Sequence, residues 1–176
     1  MTLETEDGLK LAAYRMRAEE PKGTVIILSG IMNPSVTAFF GYGKMFADAG
    51  WDSLLIEIRA RSDSEGEESG LGMTEWLDVK SGVDFLSSDD AVGKLPIVAM
   101  GTSMGAGTVL IAGGELPEID VVTSLSGFSS RPDVFVGNMR LLGNREYICA
   151  LKKLFVSLYM ELNYIFGQLK YTPHKG

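Results

Sequence analysis

Leu95-Pro96-Ile97-Val98-Ala99-Met100-Gly101-Thr102-Ser103-Met104-Gly105-Ala106-Gly107-Thr108-Val109-Leu110-Ile111-Ala112 decides how this chain is read. An apolar run too short for a helix stops at Gly101-Thr102-Ser103-Met104-Gly105, and a helix-forming apolar run follows. That places a serine on a sharp strand-to-helix turn, the G-x-S-x-G pattern in the context its chemistry needs. The turn forces the serine into a strained backbone conformation, and a side chain at Gly101 or Gly105 would collide with the neighbouring strand or helix. Ser103 is therefore the candidate nucleophile. A glycine-rich strand-to-helix turn also binds phosphate. Here, however, the spacing does not give G-x-G-x-x-G, and no Gly-Lys-Ser/Thr of a phosphate-binding loop occurs.

Working outward, strands and helices alternate. Residues 2–6 and 9–16 flank Asp7-Gly8, a two-residue hairpin signal, so the chain is expected to open on two antiparallel strands. Residues 24–29 form a β-branched apolar run typical of a strand buried on both faces. A loop over 30–34 leads to a helix over about 38–49, stopped by Gly50. Residues 53–59 read as the next strand, and 60–73 as a long polar loop. Thr74 is expected to cap a helix reaching Leu86, with Trp76, Leu77, Val83 and Leu86 toward the core. Strands follow over 95–102 and 120–126, and the remainder from Pro132 reads as helical. The fold class is α/β: a hairpin followed by a mostly parallel sheet with flanking helices.

The bulk properties narrow the function. The chain has 176 residues, 45% of them hydrophobic, and a net charge of -7, which supports one globular core and argues against nucleic acid as a partner. Cys149 is the lone cysteine and His174 the lone histidine, so no internal disulfide and no standard zinc site is expected. The acidic run 63–68 lacks the spacing of a calcium loop and reads as solvated. No cofactor and no metal is implied. The polar N-terminus lacks the pattern of a signal peptide, and a cytoplasmic location is expected. The most apolar stretch, 154–169, is interrupted by Glu161, Asn163 and Gln168. It falls short of the roughly 20 residues of a membrane span, so it reads as an amphipathic helix.

With these landmarks in order, the chain resembles the α/β-hydrolase superfamily, in its lysophospholipase and serine-aminopeptidase-like branch. The resemblance runs through Asp7-Gly8-Leu9-Lys10-Leu11, then Val25-Ile26-Ile27-Leu28-Ser29-Gly30, where relatives carry His-Gly. It continues through Glu57-Ile58-Arg59-Ala60-Arg61-Ser62-Asp63-Ser64-Glu65-Gly66, similar to an Arg-Gly-His-Gly-x-Ser-x-Gly loop, and peaks at Gly101 to Gly105. It implies a serine hydrolase cleaving an ester, thioester or amide, with Ser103 forming an acyl-enzyme and the backbone N–H groups of Ile31 and Met104 forming the oxyanion hole. Ser29 in place of histidine leaves those backbone donors intact but removes a side chain that braces the loop.

Further along, the resemblance departs from its pattern. The segments that carry the acid and the histidine in relatives, after a seventh and an eighth strand, have no counterpart. The chain is thus expected to be a hydrolase fold lacking its last two strands and inactive in this form. The alternative is a non-catalytic binding protein on the same fold. Residues 1–131 are expected to form the core, 132–170 a helical cap or lid, and 171–176 a tail. Asp133 follows the sixth strand, where some relatives carry their acid, but it also fits the first turn of a helix after Pro132, and His174 resembles a loop far from the catalytic histidine's place, so no base connects an acid to Ser103. An acyl-bearing small molecule, apolar if Phe155, Leu158, Tyr159, Leu162, Ile165 and Phe166 line its site, is the expected partner. The sixth strand, with Val121, Val122 and Leu125, is expected to be an exposed edge prone to self-association.

Overall fold

The computed structural model describes residues 1–70 and 72–127. Residues Met1–Gly127 form one compact unit. The expected cap 132–170, the tail 171–176, and with them Asp133, Cys149 and His174, lie outside the described residues.

Among the described residues, six strands make one sheet: β1 (Thr2–Glu4), β2 (Lys10–Met16), β3 (Thr24–Leu28), β4 (Asp52–Ile56), β5 (Ile97–Thr102) and β6 (Val121–Leu125). Their order is β1-β2-β4-β3-β5-β6, with β1, β2 and β4 antiparallel in succession and β4, β3, β5 and β6 parallel. The hairpin and the parallel sheet read from the sequence are both present. All five residues of β3 and all five of β4 are buried, as expected for central strands covered on both faces.

Among the described residues, three helices cover the sheet: α1 (Phe40–Asp48), preceded by a 3-10 turn at Val36–Phe39, α2 (Trp76–Ser87) and α3 (Met104–Glu115). The period of two along the strands divides the core. Ile26, Leu28, Leu54 and Ile56 point to one face, where Val79 and Val83 of α2 and Val109 and Ala112 of α3 close over them. Val25, Ile27, Leu55 and Met100 point to the other, where they pack with Val36 and the aromatic rings of Phe39, Phe40 and Phe46. Burial of these aliphatic side chains, at about 1.5–3 kcal/mol each, is the main term holding the layers together.

Two local expectations are corrected. The first hairpin does not turn on two residues. Thr5 N–H donates to Leu9 O and Gly8 N–H to Thr5 O, both at 2.9 Å, so Glu6, Asp7 and Gly8 form a three-residue loop with Gly8 at φ +87°. A two-residue turn of that type needs positive φ at both central residues, and among the described residues Asp7 is not one that has it. The second correction concerns α2, which Thr74 does not cap through its side chain. The N-cap position is Glu75, and the Glu75 carboxylate instead accepts from Gly72 N–H and Thr74 N–H at 2.8 and 3.2 Å, satisfying the loop ahead of the helix. Trp76 packs half-buried against the core, and Leu77, Val83 and Leu86 are buried, as read from the sequence.

Candidate active site

β3, β4 and β5 run parallel, so their carboxyl ends, and the loops that leave them, meet at one edge of the sheet. The turn from β5 into α3 sits there. Ser103 has φ 54° and ψ -114°, a strained conformation for a residue with a side chain. The strain is held from several sides. Ser103 N–H donates to Leu125 O at the end of β6, 2.9 Å away, and Ser103 O accepts from Ala106 N–H and Gly107 N–H in the first turn of α3. Glycine is required at 101 and 105: a Cβ on Gly101 would run into the backbone of Gly105, and one on Gly105 would stand 2.6 Å from Ser29 O. Ser103 is half-buried, and its hydroxyl makes no hydrogen bond among the described residues.

Opposite Ser103 lies the loop after β3. Asn33 N–H donates to Gly30 O at 3.1 Å, closing a β-turn with Ile31 and Met32 at its centre. The Gly30 N–H is taken by the Asn33 side-chain carbonyl at 3.2 Å. Gly30 itself touches the elbow, since a Cβ there would stand 2.9 Å from Ser103 Cβ and 3.2 Å from Thr102 O. Beyond the turn, Glu57 anchors the chain. Its carboxylate, 1% exposed, accepts Ser35 Oγ–H at 2.6 Å and Val36 N–H at 3.0 Å. Ile31 N–H, first of the central residues of the turn, donates to no described residue. Met104 N–H lies in the first turn of α3, where helix geometry leaves amides without an intrahelical partner and the dipole favours negative charge. Gly30, directly before Ile31 in the chain, thus touches the elbow that Ser103 forms with Met104 after it.

The loop between β4 and α2 forms the third wall. Ser69 Oγ donates to Glu75 at 2.7 Å and lies 3.8 Å from Met104 Sδ. Arg59, buried at 6% exposure, donates through its backbone N–H and Nε to Asp78 at 2.8 Å, and through its guanidinium to Asp7 at 2.7 and 3.1 Å. Burial pushes the Asp78 carboxyl up to about 6, against the pull of Arg59. For Asp7, burial also opposes ionisation but is outweighed by hydrogen bonds from Arg59 and Thr5, leaving its carboxyl below the ordinary value. Two carboxylates hold the Arg59 guanidinium firmly protonated despite its burial.

Sequence reasoning missed Glu57, Glu75 and Asp78 as structural groups. The signal for Glu57 was available: a lone carboxylate ending the run Ser53-Leu54-Leu55-Ile56 must be buried with partners or not at all. The acidic side chains of 63–68 are exposed, and Glu65 accepts Lys10 N–H at 2.9 Å. Among the described residues, no cluster of His, Cys, Asp or Glu could hold a metal ion, and no helix is long and apolar enough to cross a membrane. An open depression of about 540 Å³ beside α1, lined by Met16, Arg17, Phe40 and Lys44, contains none of the elbow residues.

No protein-family model matches the chain. The Pyrococcus furiosus esterase Pf2001 superposes with a TM-score of 0.70 and 25% identity over 93% of this chain and 64% of its own. The chain has the α/β-hydrolase fold. The same fold relates it to Est1E from Butyrivibrio proteoclasticus, solved with ferulic acid, at TM-score 0.67 and 22% identity over 82% of this chain and 59% of that one. A 107-residue stretch is 29% identical to the uncharacterized protein YqkD of Bacillus subtilis (strain 168), covering 61% of this chain and 34% of that protein. The chain thus spans less than two thirds of the length of each of these proteins. In this α/β-hydrolase fold the elbow and the loop after β3 face each other within the described residues. The positions of Asp133 and His174 lie outside them.

Proposed function

We propose that this chain carries the nucleophile and oxyanion hole of a serine hydrolase acting on an ester, thioester or amide. Ser103 is the nucleophile, and Ile31 and Met104 supply the two backbone donors. The observation that carries this reading is the strained Ser103 conformation, φ 54° and ψ -114°, with Gly30 pressed against its Cβ. A strained serine held by glycines on both sides has a stability cost and no structural use unless its hydroxyl has to be presented.

In the reaction, Ser103 Oγ attacks the acyl carbon, an O–C bond forms, and the carbonyl oxygen takes up negative charge facing the Ile31 and Met104 amides. Collapse expels the leaving group and leaves an acyl-enzyme, which water then cleaves. Preorganised donors of this kind contribute about 10²–10³ each in kcat. The Oγ proton goes to a base, and repeated turnover needs an imidazole that residues 1–127 do not contain, the sole histidine being His174. The step the described geometry supports is therefore the covalent reaction of Ser103. A lysophospholipase-like or peptidase-like branch, an apolar acyl group and a cytoplasmic site of action extend this reading. They draw on the motif resemblance, the apolar residues between 155 and 166, and the lone cysteine.

The test is phosphonylation. A fluorophosphonate probe places its phosphorus at Ser103 Oγ; the O–P bond forms, the P–F bond breaks, fluoride leaves, and the proton passes to solvent or base. Stoichiometric labelling lost in Ser103→Ala supports the reading. The second reading is a non-catalytic binding protein on this fold, and a folded protein that stays unlabelled would select it.

A further inference from the structure

An amide can stabilise an oxyanion only if it is aimed before the charge develops, so the Gly30–Asn33 turn has to be held from outside its own backbone. At its tip Met32 is 90% exposed and gives no hold, while Ile31 is half-buried against the core. Glu57 anchors the chain only from Ser35 onward. Within residues 30–34, the side-chain hydrogen bond formed among the described residues is that of Asn33, whose Oδ1 accepts Gly30 N–H while its own N–H donates to Gly30 O. This pair of hydrogen bonds does two things. It closes the turn, and it occupies the Gly30 amide, while Ile31 N–H donates to no described residue.

We propose that Asn33 is the positioning residue of the oxyanion hole: it locks the turn against the nucleophile elbow so that the Ile31 amide is offered beside Ser103. This rests on the reading of Ser103 as nucleophile. The lock acts at the right place, because Asn33 Oδ1 and Ser103 Cβ both lie within 3.4 Å of the point where a Gly30 Cβ would stand. Gly30 is thus wedged between the side chain that braces the turn and the one that reacts. Ser29, buried at 3%, stands where the resembling family carries a histidine, and Asn33 supplies from the far side of the turn the brace that this replacement removes.

The residue type follows from the same geometry. The position needs a neutral acceptor. An aliphatic side chain would leave the Gly30 amide unpaired, and a carboxylate would accept from it equally well but set a negative charge close to the developing oxyanion. Asn33→Ala and Asn33→Asp therefore separate bracing from electrostatics.

The experiment follows two readouts on the full chain: hydrogen exchange of the Gly30 amide by NMR, and the rate of Ser103 labelling by a fluorophosphonate at saturating probe. Asn33→Ala should lose Gly30 protection at least tenfold and slow saturated labelling by about tenfold, with the half-saturating probe concentration within about twofold, the signature of a misaimed donor. Asn33→Asp should keep Gly30 protection and still label more slowly than wild type, which a purely structural role would not produce. The proposal is overturned if Asn33→Ala leaves Gly30 exchange unchanged, if protection falls while the labelling rate does not, or if Asn33→Asp labels at the wild-type rate. A folded wild-type protein that never labels overturns the nucleophile reading itself, and this proposal with it; labelled wild type with unaffected variants overturns the role of Asn33 alone.

Discussion

Gly30 and Ser103 are in contact across the candidate site: the missing Cβ of Gly30 would stand 2.9 Å from Ser103 Cβ, with Thr102 O at 3.2 Å on its other side. Neither neighbour is the free end of a flexible side chain, so neither yields cheaply. Gly30→Ala is therefore expected to destabilise the fold by about 1–3 kcal/mol through overpacking. It should also displace the β-turn from Ser103, so labelling should slow beyond what the fraction unfolded accounts for. Urea unfolding and labelling kinetics on the same preparation check both. Wild-type stability together with wild-type labelling would contradict the contact.

Glu57 ties the loop after β3 to the end of β4 through Ser35 Oγ at 2.6 Å and Val36 N–H at 3.0 Å. Glu57→Gln keeps the shape but halves the acceptor capacity and turns an amide NH₂ toward two donors. A cost of about 1–3 kcal/mol is expected, the usual penalty for a buried group left unsatisfied. Denaturant titration measures it, and a change under a few tenths of a kcal/mol would show that the pair carries little.

Where residues determined their own surroundings, sequence was enough. The runs 24–29, 53–59 and 95–102 read as strands, which the structure forms as β3, β4 and β5 with ends shifted by up to three residues, and the glycines at 101 and 105 point to a strained Ser103 between them. What was not legible depended on partners distant in sequence. Asp7 read as a turn residue, yet it meets Arg59 and sits in a longer loop than Asp7-Gly8 alone implies. Thr74 read as a helix cap, yet the buried Glu75 took over the loop amides. Asn33 gave no signal, since an asparagine before a proline is ordinary loop chemistry until Gly30 is found beneath it.

The pH dependence of stability follows from Asp78. With its folded pKa pushed up to about 6 by burial and its unfolded value near 3.9, this carboxyl binds its proton more tightly in the folded state. Its contribution favours folding at low pH and is lost as pH rises from about 4 through 6. Asp78→Asn removes that titration. The wild-type unfolding free energy minus that of the variant should therefore fall across this window, by up to about 1.4 kcal/mol per pH unit. Urea titrations at several pH values give the difference, and a flat line would contradict the raised pKa.

Among the described residues β6 pairs only with β5, and Val121 and Leu125 are 52% and 42% exposed. The strand Val121-Val122-Thr123-Ser124-Leu125 carries no lysine or proline, the residues that blunt an edge. We propose that the chain self-associates through this strand. Sedimentation velocity should show concentration-dependent association that Val121→Lys shifts toward the monomer. A single monomeric boundary for wild type at all concentrations would contradict this.

If Ser103 reacts with its oxyanion facing Ile31 and Met104, a crystal structure of the phosphonylated protein will show it. Phosphorus should be bonded to Ser103 Oγ, with the phosphoryl oxygen about 2.7–3.1 Å from both the Ile31 and Met104 amide nitrogens. Phosphorus on another residue, or a phosphoryl oxygen turned to solvent away from both amides, would contradict it.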